Sequence, residues 1–241
     1  MLTKKSIITL TVILSSGWNF LFAQNLDRDS LAKLSYNNAL SFYRVSLNEN
    51  VRFVNGETYY SYGTNVGGSA VFGDSTFVNG TLVYEGLTYI EIPLMYDLYI
   101  DKLVSVTNTG AFSIVSEKID QFRMGSHSFI NLESIVLDKK NVSGFFEVKY
   151  KGKLGVYVKH RRELKFSLNK ETPYYFNPKK LLYVEMNNNL HEVSNESSLL
   201  NIFSNKKKEV IQYVRENGLK FKQDPEKFTV EVVKYYERLI L

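Results

Sequence analysis

Short apolar runs separated by turn residues make up most of the chain between residues 51 and 193. The runs recur about every 8–12 residues, a spacing that predicts an antiparallel sandwich or barrel. The pattern is clearest in residues 75–107. That stretch predicts a meander of short strands at about 75–78, 81–84, 87–92 and 98–107.

Glycine, asparagine and proline predict where these strands turn. Asn55-Gly56 and Asn79-Gly80 lie between apolar runs, and each predicts a type I′ hairpin turn because both residue types accept positive φ. Glu85-Gly86 predicts another tight turn. Pro93 has no N–H for a ladder and predicts the end of the third strand. Further turns are predicted at Asn108-Thr-Gly110, Gly125, Lys151-Gly152-Lys153 and Asn187-Asn-Asn189.

Helical spacing appears at both ends of the chain. An N-terminal helix is predicted from Asp29 to about Val45, and one or two helical turns around residues 199–203. A second C-terminal helix, capped by Ser204 or Asn205, would end at Gly218, and a third would start at Asp224-Pro225. The predicted fold class is α+β: an antiparallel β-sandwich or open barrel of short meander strands, with an N-terminal helix and a C-terminal helical hairpin.

The first 23 residues have the pattern of a signal peptide. Lys4 and Lys5 precede a short apolar run that ends before Ala23. An uncleaved anchor helix is the alternative, but polar residues break the run before the ~20 apolar residues that a bilayer span needs. The predicted organisation is a signal peptide at 1–23, an N-terminal helical segment at 24–50, a β-rich domain at 51–193, and C-terminal helices at 194–241 packed on the same domain.

Composition narrows the compartment and the chemistry. The chain has no cysteine, which excludes disulfides, thiolate metal sites and a cysteine nucleophile. An exported protein without disulfides fits a bacterial periplasm or exterior. Removal of Lys4 and Lys5 with the signal peptide lowers the net charge from +5 to +3, which gives no support for nucleic-acid binding. We therefore predict export to the periplasm or envelope, or secretion, with no transmembrane span in the mature chain.

Aromatic residues are unusually frequent, with 17 Tyr and 16 Phe. Strand packing accounts for them most simply, because aromatic side chains suit half-buried sheets. A carbohydrate-binding or peptide-binding surface is the alternative interpretation.

Few side chains show a spacing that indicates chemistry. His127, His160 and His191 share no metal-ligand spacing, and no Gly-x-Ser-x-Gly nucleophile motif occurs. Asp97 and Asp101 would share a strand face, where they could bind a hard cation or act as an acid/base pair. Solvent-facing aspartates beside turns are the favoured interpretation, because no glycine-spaced calcium loop accompanies them. We therefore predict no catalytic residues, no metal site and no cofactor, and the sequence does not indicate which residues bind a ligand.

Two other groups of residues have simpler explanations. Gly67-Gly68 is not followed by the Gly-Lys-Ser/Thr of a phosphate-binding loop. The basic clusters are His160-Arg161-Arg162, Lys179-Lys180 and Lys206-Lys207-Lys208. The lysine triplet at a helix start is interpreted as a solvated face, with contact to an anionic lipid or polymer as the alternative.

Two stretches resemble a family of uncharacterised exported proteins of Bacteroidota. The first runs from Gly80-Thr-Leu-Val-Tyr84-Glu-Gly86 through Ile92-Pro93-Leu-Met-Tyr96-Asp97-Leu-Tyr99-Ile-Asp101. The second is the tail Ser198-Leu-Leu…Asn205-Lys-Lys-Lys-Glu209…Asn217-Gly218-Leu219-Lys220-Phe221. The signal peptide ending Phe-Ala-Gln is also similar. The resemblance implies export and a shared fold, and it implies no catalytic or binding residues.

The leading functional hypothesis is a non-catalytic cell-envelope binding or interaction protein, whose partner is an unknown envelope protein, peptide or glycan. It rests on the lack of any motif with catalytic spacing. One alternative is an envelope or polysaccharide hydrolase, which would need Asp97, Asp101 or a histidine in a common cleft. Another is a carrier that encloses a small apolar ligand in a barrel.

Overall fold

The structure is a computed structural model that describes residues 52–74, 76–137, 140–168 and 170–240. The predicted N-terminal helix and signal peptide lie outside these residues. The strands are β1 (Val66–Gly67), β2 (Val78–Tyr84), β3 (Leu87–Asp97), β4 (Lys102–Thr107), β5 (Gly110–Ser113), β6 (Ile119–Met124), β7 (His127–Leu137), β8 (Lys140–Lys151), β9 (Gly155–Phe166), β10 (Tyr174–Met186) and β11 (Asn189–Glu192). The helices are α1 (Glu196–Ile202), α2 (Lys207–Glu216) and α3 (Pro225–Ile240), with short 3₁₀ turns at Ser116–Lys118 and Ser204–Lys206.

All the strands belong to one sheet. Its order is β1-β10-β9-β8-β7-β6-β2-β3-β4-β5, and β11 also pairs with β10. Every pairing is antiparallel except β1 with β10, which is parallel. The predicted antiparallel sandwich or open barrel is therefore wrong: the sheet is single, mixed and not closed, and three C-terminal helices stand in place of a two-helix hairpin. Turn signals are local, and they cannot show how many sheets the strands form.

Neither Asn-Gly pair forms the predicted hairpin turn. Asn79 and Gly80 lie inside β2, and Gly80 pairs with both Ile92 and Met124. A Cβ on Gly80 would collide with the carbonyl oxygen of Arg123. Asn55-Gly56 joins no two strands of a hairpin, and a Cβ on Gly56 would collide with the backbone of Ser113. Glycine is required at both sites because another strand lies close, not because φ is positive.

Pro93 does not end β3. Pairing with β2 continues through Asn79 and Pro93, whereas pairing with β4 begins only at Leu94 and Ser105. The proline therefore lies just before the β4 ladder starts. Its carbonyl oxygen is used, since it accepts a 2.8 Å hydrogen bond from the Ser105 hydroxyl.

Other turn predictions are confirmed. Glu85 and Gly86 both have positive φ and join β2 to β3, and Asn187 and Asn188 do the same between β10 and β11. Gly125, also at positive φ, turns β6 into β7. Gly218 has the left-handed conformation after α2, and the Asp224 side chain accepts a hydrogen bond from the Lys227 N–H at the start of α3.

Two large hydrophobic cores pack against the sheet, beside two smaller clusters around Phe146 and around Val104. The first core is formed by β2 to β8 and adjoining loops, and half of its sixteen buried residues are aromatic. The second core lies between β9, β10 and the three helices. Phe145 of the first core and Glu147 lie on the same face of β8, and Glu147 is opposite Val158 of the second core. The two cores therefore meet on one face of the sheet at β8 and β9.

The outer edge of β10 is partly covered. Its first residues pair with β1 and its last with β11, and the Val193 N–H donates to the Leu182 carbonyl. The backbone N–H and C=O groups of successive residues point to opposite sides of a strand. Since the Leu182 carbonyl faces this edge, the backbone groups of the other even-numbered residues face it as well. Between the two short strands, the outward positions are Pro178 and Lys180. Within the described residues, no helix is long and apolar enough to cross a membrane.

Candidate functional site

Asp97 is fully buried at the end of β3, where it holds the following loop in place. Its carboxylate accepts hydrogen bonds from the Tyr59 and Tyr62 hydroxyls at 2.9 and 2.8 Å. It also accepts from the backbone N–H groups of Tyr99 and Ile100. Burial and the Asp97 carboxylate raise the pKa of both tyrosines, so their hydroxyls remain donors. Asp97 is therefore saturated with hydrogen bonds that define the loop.

Asp101 ends the same loop at positive φ and lies against Gly144 of β8. Its carboxylate accepts from the Tyr96 hydroxyl at 2.5 Å and from Lys159 Nζ at 2.6 Å. Lys159 is fully buried; burial lowers its pKa, and Asp101 counteracts that effect. The favoured prediction of solvent-facing aspartates is wrong for Asp97, which is fully buried. Asp97 and Asp101 bind different partners, so the alternative, an acid/base or cation-binding pair, is not formed by these contacts.

Glu147 forms the densest polar cluster, at the point where the two cores meet. Its carboxylate contacts His127 Nδ1 at 2.6 Å, His160 Nε2 at 2.6 Å and Lys149 Nζ at 2.8 Å. Lys149 also pairs with Glu226 of α3 at 2.9 Å. Burial opposes ionisation of Glu147, but the three hydrogen bonds outweigh it and lower the pKa of this carboxyl to about 2. The cluster is an ionised, internally compensated junction between strands and helix.

The histidines occupy different environments. His160 is buried, whereas the side chain of His127 is 43% exposed and contacts Glu147 from the start of β7. His191 lies on β11, away from this cluster in the sheet order. The expectation that the three histidines are surface or turn residues is therefore wrong for His160. Within the described part of the chain, no group of three or more His, Cys, Asp or Glu residues could hold a metal ion.

Two adjoining clefts lie beside the loop that precedes α3. They have volumes of about 540 and 610 Å³ and share Ser194, Phe221, Gln223 and Pro225. In the first cleft Lys180 pairs with Glu226 at 2.8 Å, so these two charges compensate each other. Asp224 caps α3. Lys180, Glu226 and Asp224 are thus engaged, and the rest of the wall combines apolar side chains with Glu192, Ser194 and Gln223.

The largest concentration of exposed apolar side chains is at the far end of the β9–β10 hairpin. Of thirteen exposed large apolar residues in the described chain, five lie here. We call them the apolar tip: Leu164, Phe166, Leu168, Tyr174 and Tyr175.

Exposure and ring contacts define the apolar tip. Phe166 is 68% exposed and Leu168 94% exposed. Phe166 and Tyr174 are directly opposite each other and form an edge-to-face pair with ring centroids 6.0 Å apart. Next along the same face, Leu164 is opposite Phe176, whose ring is covered by Tyr62 and Tyr99. The tip is therefore continuous with a packed aromatic group.

The sequence analysis did not identify Glu147, Lys149 or Lys159. A detectable signal was present, because Glu147 and Lys149 alternate with apolar residues on one predicted strand, and Lys159 ends the run from Leu154. Inward-facing charges on a strand indicate paired polar groups. The exposed tip had no comparable signal, since Phe166 and Tyr174 look like ordinary strand residues.

Comparisons with known proteins give no match: no family model, no curated protein and no solved structure is significantly similar to this chain. The resemblance to exported Bacteroidota proteins stays a prediction.

Proposed function

We propose that this chain is an exported, non-catalytic binding protein of the cell envelope, and that the apolar tip is its binding surface. The observation that carries the proposal is the exposure of Phe166, Leu168 and Tyr174 at one end of the sheet. Grouped exposed apolar side chains of this kind mark interaction sites, whereas single ones need no explanation. The buried charged groups Asp97, Glu147 and Lys159, by contrast, are each bound by other groups of the protein.

Thermal-shift measurements test this function. The protein would be expressed from its full-length sequence, purified after export, and screened against cell-wall fragments, oligosaccharides, peptides and lipids. A ligand at 100 times its Kd adds about 2.7 kcal/mol to the free energy of unfolding. We expect a response that is lost in the Phe166→Ser, Tyr174→Ser double variant and kept in Ile211→Ser, an exposed apolar position on α2.

Two results would contradict the proposal. A response of equal size in the double variant would show that binding takes place elsewhere, for which the clefts around Phe221 are the first place to look. If no ligand in the panel shifts the melting temperature, the protein binds none of these four classes of ligand, and the proposal is contradicted for each of them.

The hydrolase alternative has one supporting observation. His127 is partly exposed and its Nδ1 contacts the ionised Glu147, an arrangement that orients a general base. It ranks second because no nucleophile contacts His127 in the described contacts, and its test is turnover of envelope polysaccharide by the purified protein and by His127→Ala.

The carrier alternative is weaker, because the first core is filled by packed rings and the sheet is not closed.

A further inference from the structure

We propose that the apolar tip docks on an anionic lipid surface, with Phe166 and Leu168 inserted among the lipids and lysines at the headgroups. This inference rests on the proposed function and names the partner of the same surface. It is carried by three observations: the exposure of the tip, its shape, and the distribution of charge in the chain.

Exposure at the tip increases toward its end. Leu164 is 39% exposed, Phe166 68% and Leu168, in the connection between β9 and β10, 94%. Tyr174 and Tyr175 are 43% and 38% exposed on the returning strand. Leu168 is thus outermost, Phe166 and Tyr174 lie level with each other behind it, and Tyr175 is one residue further back. This order suits a bilayer, where leucine and phenylalanine enter the apolar region and tyrosine occupies the interface.

The shape of the tip favours a lipid surface over a folded protein. Phe166 and Tyr174 lie on one face of the ribbon, whereas Tyr175 and Lys165 lie on the other, because side chains alternate along each strand. Leu168 extends beyond the paired residues. Apolar side chains therefore lie on both faces of the hairpin end, while Val66 and Gly67 of β1 pair with Tyr174 and Tyr175 at the β10 edge. A fluid lipid surface can contact both faces of this end, whereas a rigid partner would cover one face.

Charge is concentrated on the same hairpin. Residues 161–180 contain six basic and two acidic residues, a net charge of +4, whereas the predicted mature chain as a whole carries +3. The rest of that chain therefore carries a net charge of −1. Lys180 is paired with Glu226, and Lys165 and Lys179 share the single carboxylate of Glu163. At the tip itself Lys165 and Lys170 are balanced by Glu163 and Glu171. The positive excess comes from Arg161, Arg162 and Lys179, which lie further back along the same hairpin, where anionic headgroups would meet them.

The lysines next to the tip suit this role. Lys165 is adjacent to Phe166 in sequence and Lys170 follows Leu168 by two residues, and both are exposed. Their long aliphatic stems can lie along apolar surface while the ammonium groups remain in water. Each such charge strengthens attachment to an anionic surface, but it does not strengthen attachment to a neutral surface.

Vesicle co-sedimentation tests the proposal directly. The exported protein would be mixed with vesicles of phosphatidylethanolamine and phosphatidylglycerol, or of phosphatidylcholine alone. We expect binding to the anionic vesicles that weakens as salt rises. The Phe166→Ser, Leu168→Ser double variant should lower the partition coefficient at least about tenfold. Lys165→Gln and Lys170→Gln should each lower it about fivefold on anionic vesicles only, and Ile211→Ser should leave it unchanged.

A tryptophan reporter identifies the inserted residue. Trp18 is the chain's only tryptophan and lies in the predicted signal peptide, so Phe166→Trp gives the exported protein a single emitter. We expect a blue shift of its emission with anionic vesicles and quenching by lipids brominated on their acyl chains. Ile211→Trp, the control, should show neither.

The outcomes separate the two proposals. If anionic vesicles do not bind the protein, or bind the Phe166→Ser, Leu168→Ser variant equally well, the lipid proposal is wrong. If the tip variants nevertheless lose a thermal-shift response to a peptide or glycan, the binding surface stands and its partner is of that class. If the tip variants retain every response, the proposed binding surface fails as well.

Discussion

The two cores of this sheet are built differently. In the first core, half of the sixteen buried residues are aromatic and none lies in an α-helix, so strands and loops enclose their own rings. In the second core, three of fifteen are aromatic, and three helices cover β9 and β10. Where no helix covers a sheet face, large rings fill the space between the strands and the loops that cross them.

The polar junction between the cores follows from this difference. Glu147 accepts from residues on β7, β8 and β9, and Lys149 continues the contact to α3. A buried charge of this kind costs stability unless every partner is present. The junction therefore makes the two cores depend on each other, and the predictions below test that dependence.

Truncation of an aromatic side chain should harm the first core more than the second. Phe129 is fully buried and contacts the rings of Phe72, Tyr96 and Phe122. We expect Phe129→Ala to lower the free energy of unfolding by about 4 kcal/mol, since Phe→Ala in cores costs about 3–5. Phe228→Ala in the second core, whose ring meets only Phe221 among the described ring contacts, should cost less. Urea denaturation gives the free energy of unfolding of both variants. Equal losses in the two variants would contradict the expected difference between the cores.

Glu147→Gln should uncouple the cores. The substitution keeps the shape of the side chain but leaves Lys149 and two histidines without their carboxylate, at a cost of about 3 kcal/mol for a broken buried ion pair. Hydrogen exchange should show the helices and β10 opening separately from β2–β6. If the whole sheet still exchanges as one unit, Glu147 does not link the two regions.

Acid should reproduce that loss in the wild type. The pKa of Glu147 is about 2 in the folded protein, against 4.5 for an unperturbed glutamate. Because the folded pKa is the lower one, the unfolded chain takes up this proton first as the pH falls below 4.5. The stabilisation that ionised Glu147 gives to the folded state is therefore complete above pH 4.5. It disappears as the pH falls towards 2, which lowers the free energy of unfolding by about 3 kcal/mol. Other carboxylates titrate there too, so the difference between wild type and Glu147→Gln is the quantity to follow. A constant difference from pH 6 to pH 2 would contradict the assignment.

Gly80→Ala tests whether the first core depends on close strand contact. A methyl group there would meet the Arg123 carbonyl oxygen, and such overpacking costs about 1–3 kcal/mol. Gly63→Ala is the matched control, because its new Cβ would meet only the mobile end of the Asn65 side chain. Thermal melts of both variants measure the contrast, and the same melting temperature in each would rule out the contact as the reason for glycine.

Asn195→Ala should have the smallest effect, confined to the helical region. The Asn195 side chain caps α1 by accepting a 2.8 Å hydrogen bond from the Ser198 N–H, and the Ser198 hydroxyl completes the capping box. Loss of such a cap costs about 1 kcal/mol. Hydrogen exchange in α1 should rise while β2–β6 stay protected. Faster exchange in β2–β6 would mean that the helices support the first core as well.

Local chemistry accounts for what the sequence predicted correctly. Two turns and one helix start were predictable because the residues at these places determine their own backbone conformation. They are Glu85-Gly86, Asn187-Asn188 and Asp224-Pro225. The β-rich and cysteine-free character followed from composition and spacing.

The remaining features depend on residues distant in sequence. Gly80 is glycine because of Arg123, and Glu147 is buried as an ion because of His127 and His160. No local sequence pattern links positions that are so far apart in the chain. The single sheet, the contacts within the junction and the exposed tip therefore could not be predicted.

The partly covered edge of β10 has a consequence for aggregation of the protein. A long strand with unpaired backbone groups is a template for fibril growth. Here β1 and β11 occupy the two ends of the strand's outer edge. The gap between them presents Pro178, which has no N–H to donate, and Lys180, whose side chain is held by Glu226. The longest strand of the sheet is thus protected against stacking on itself when many copies are crowded at one surface.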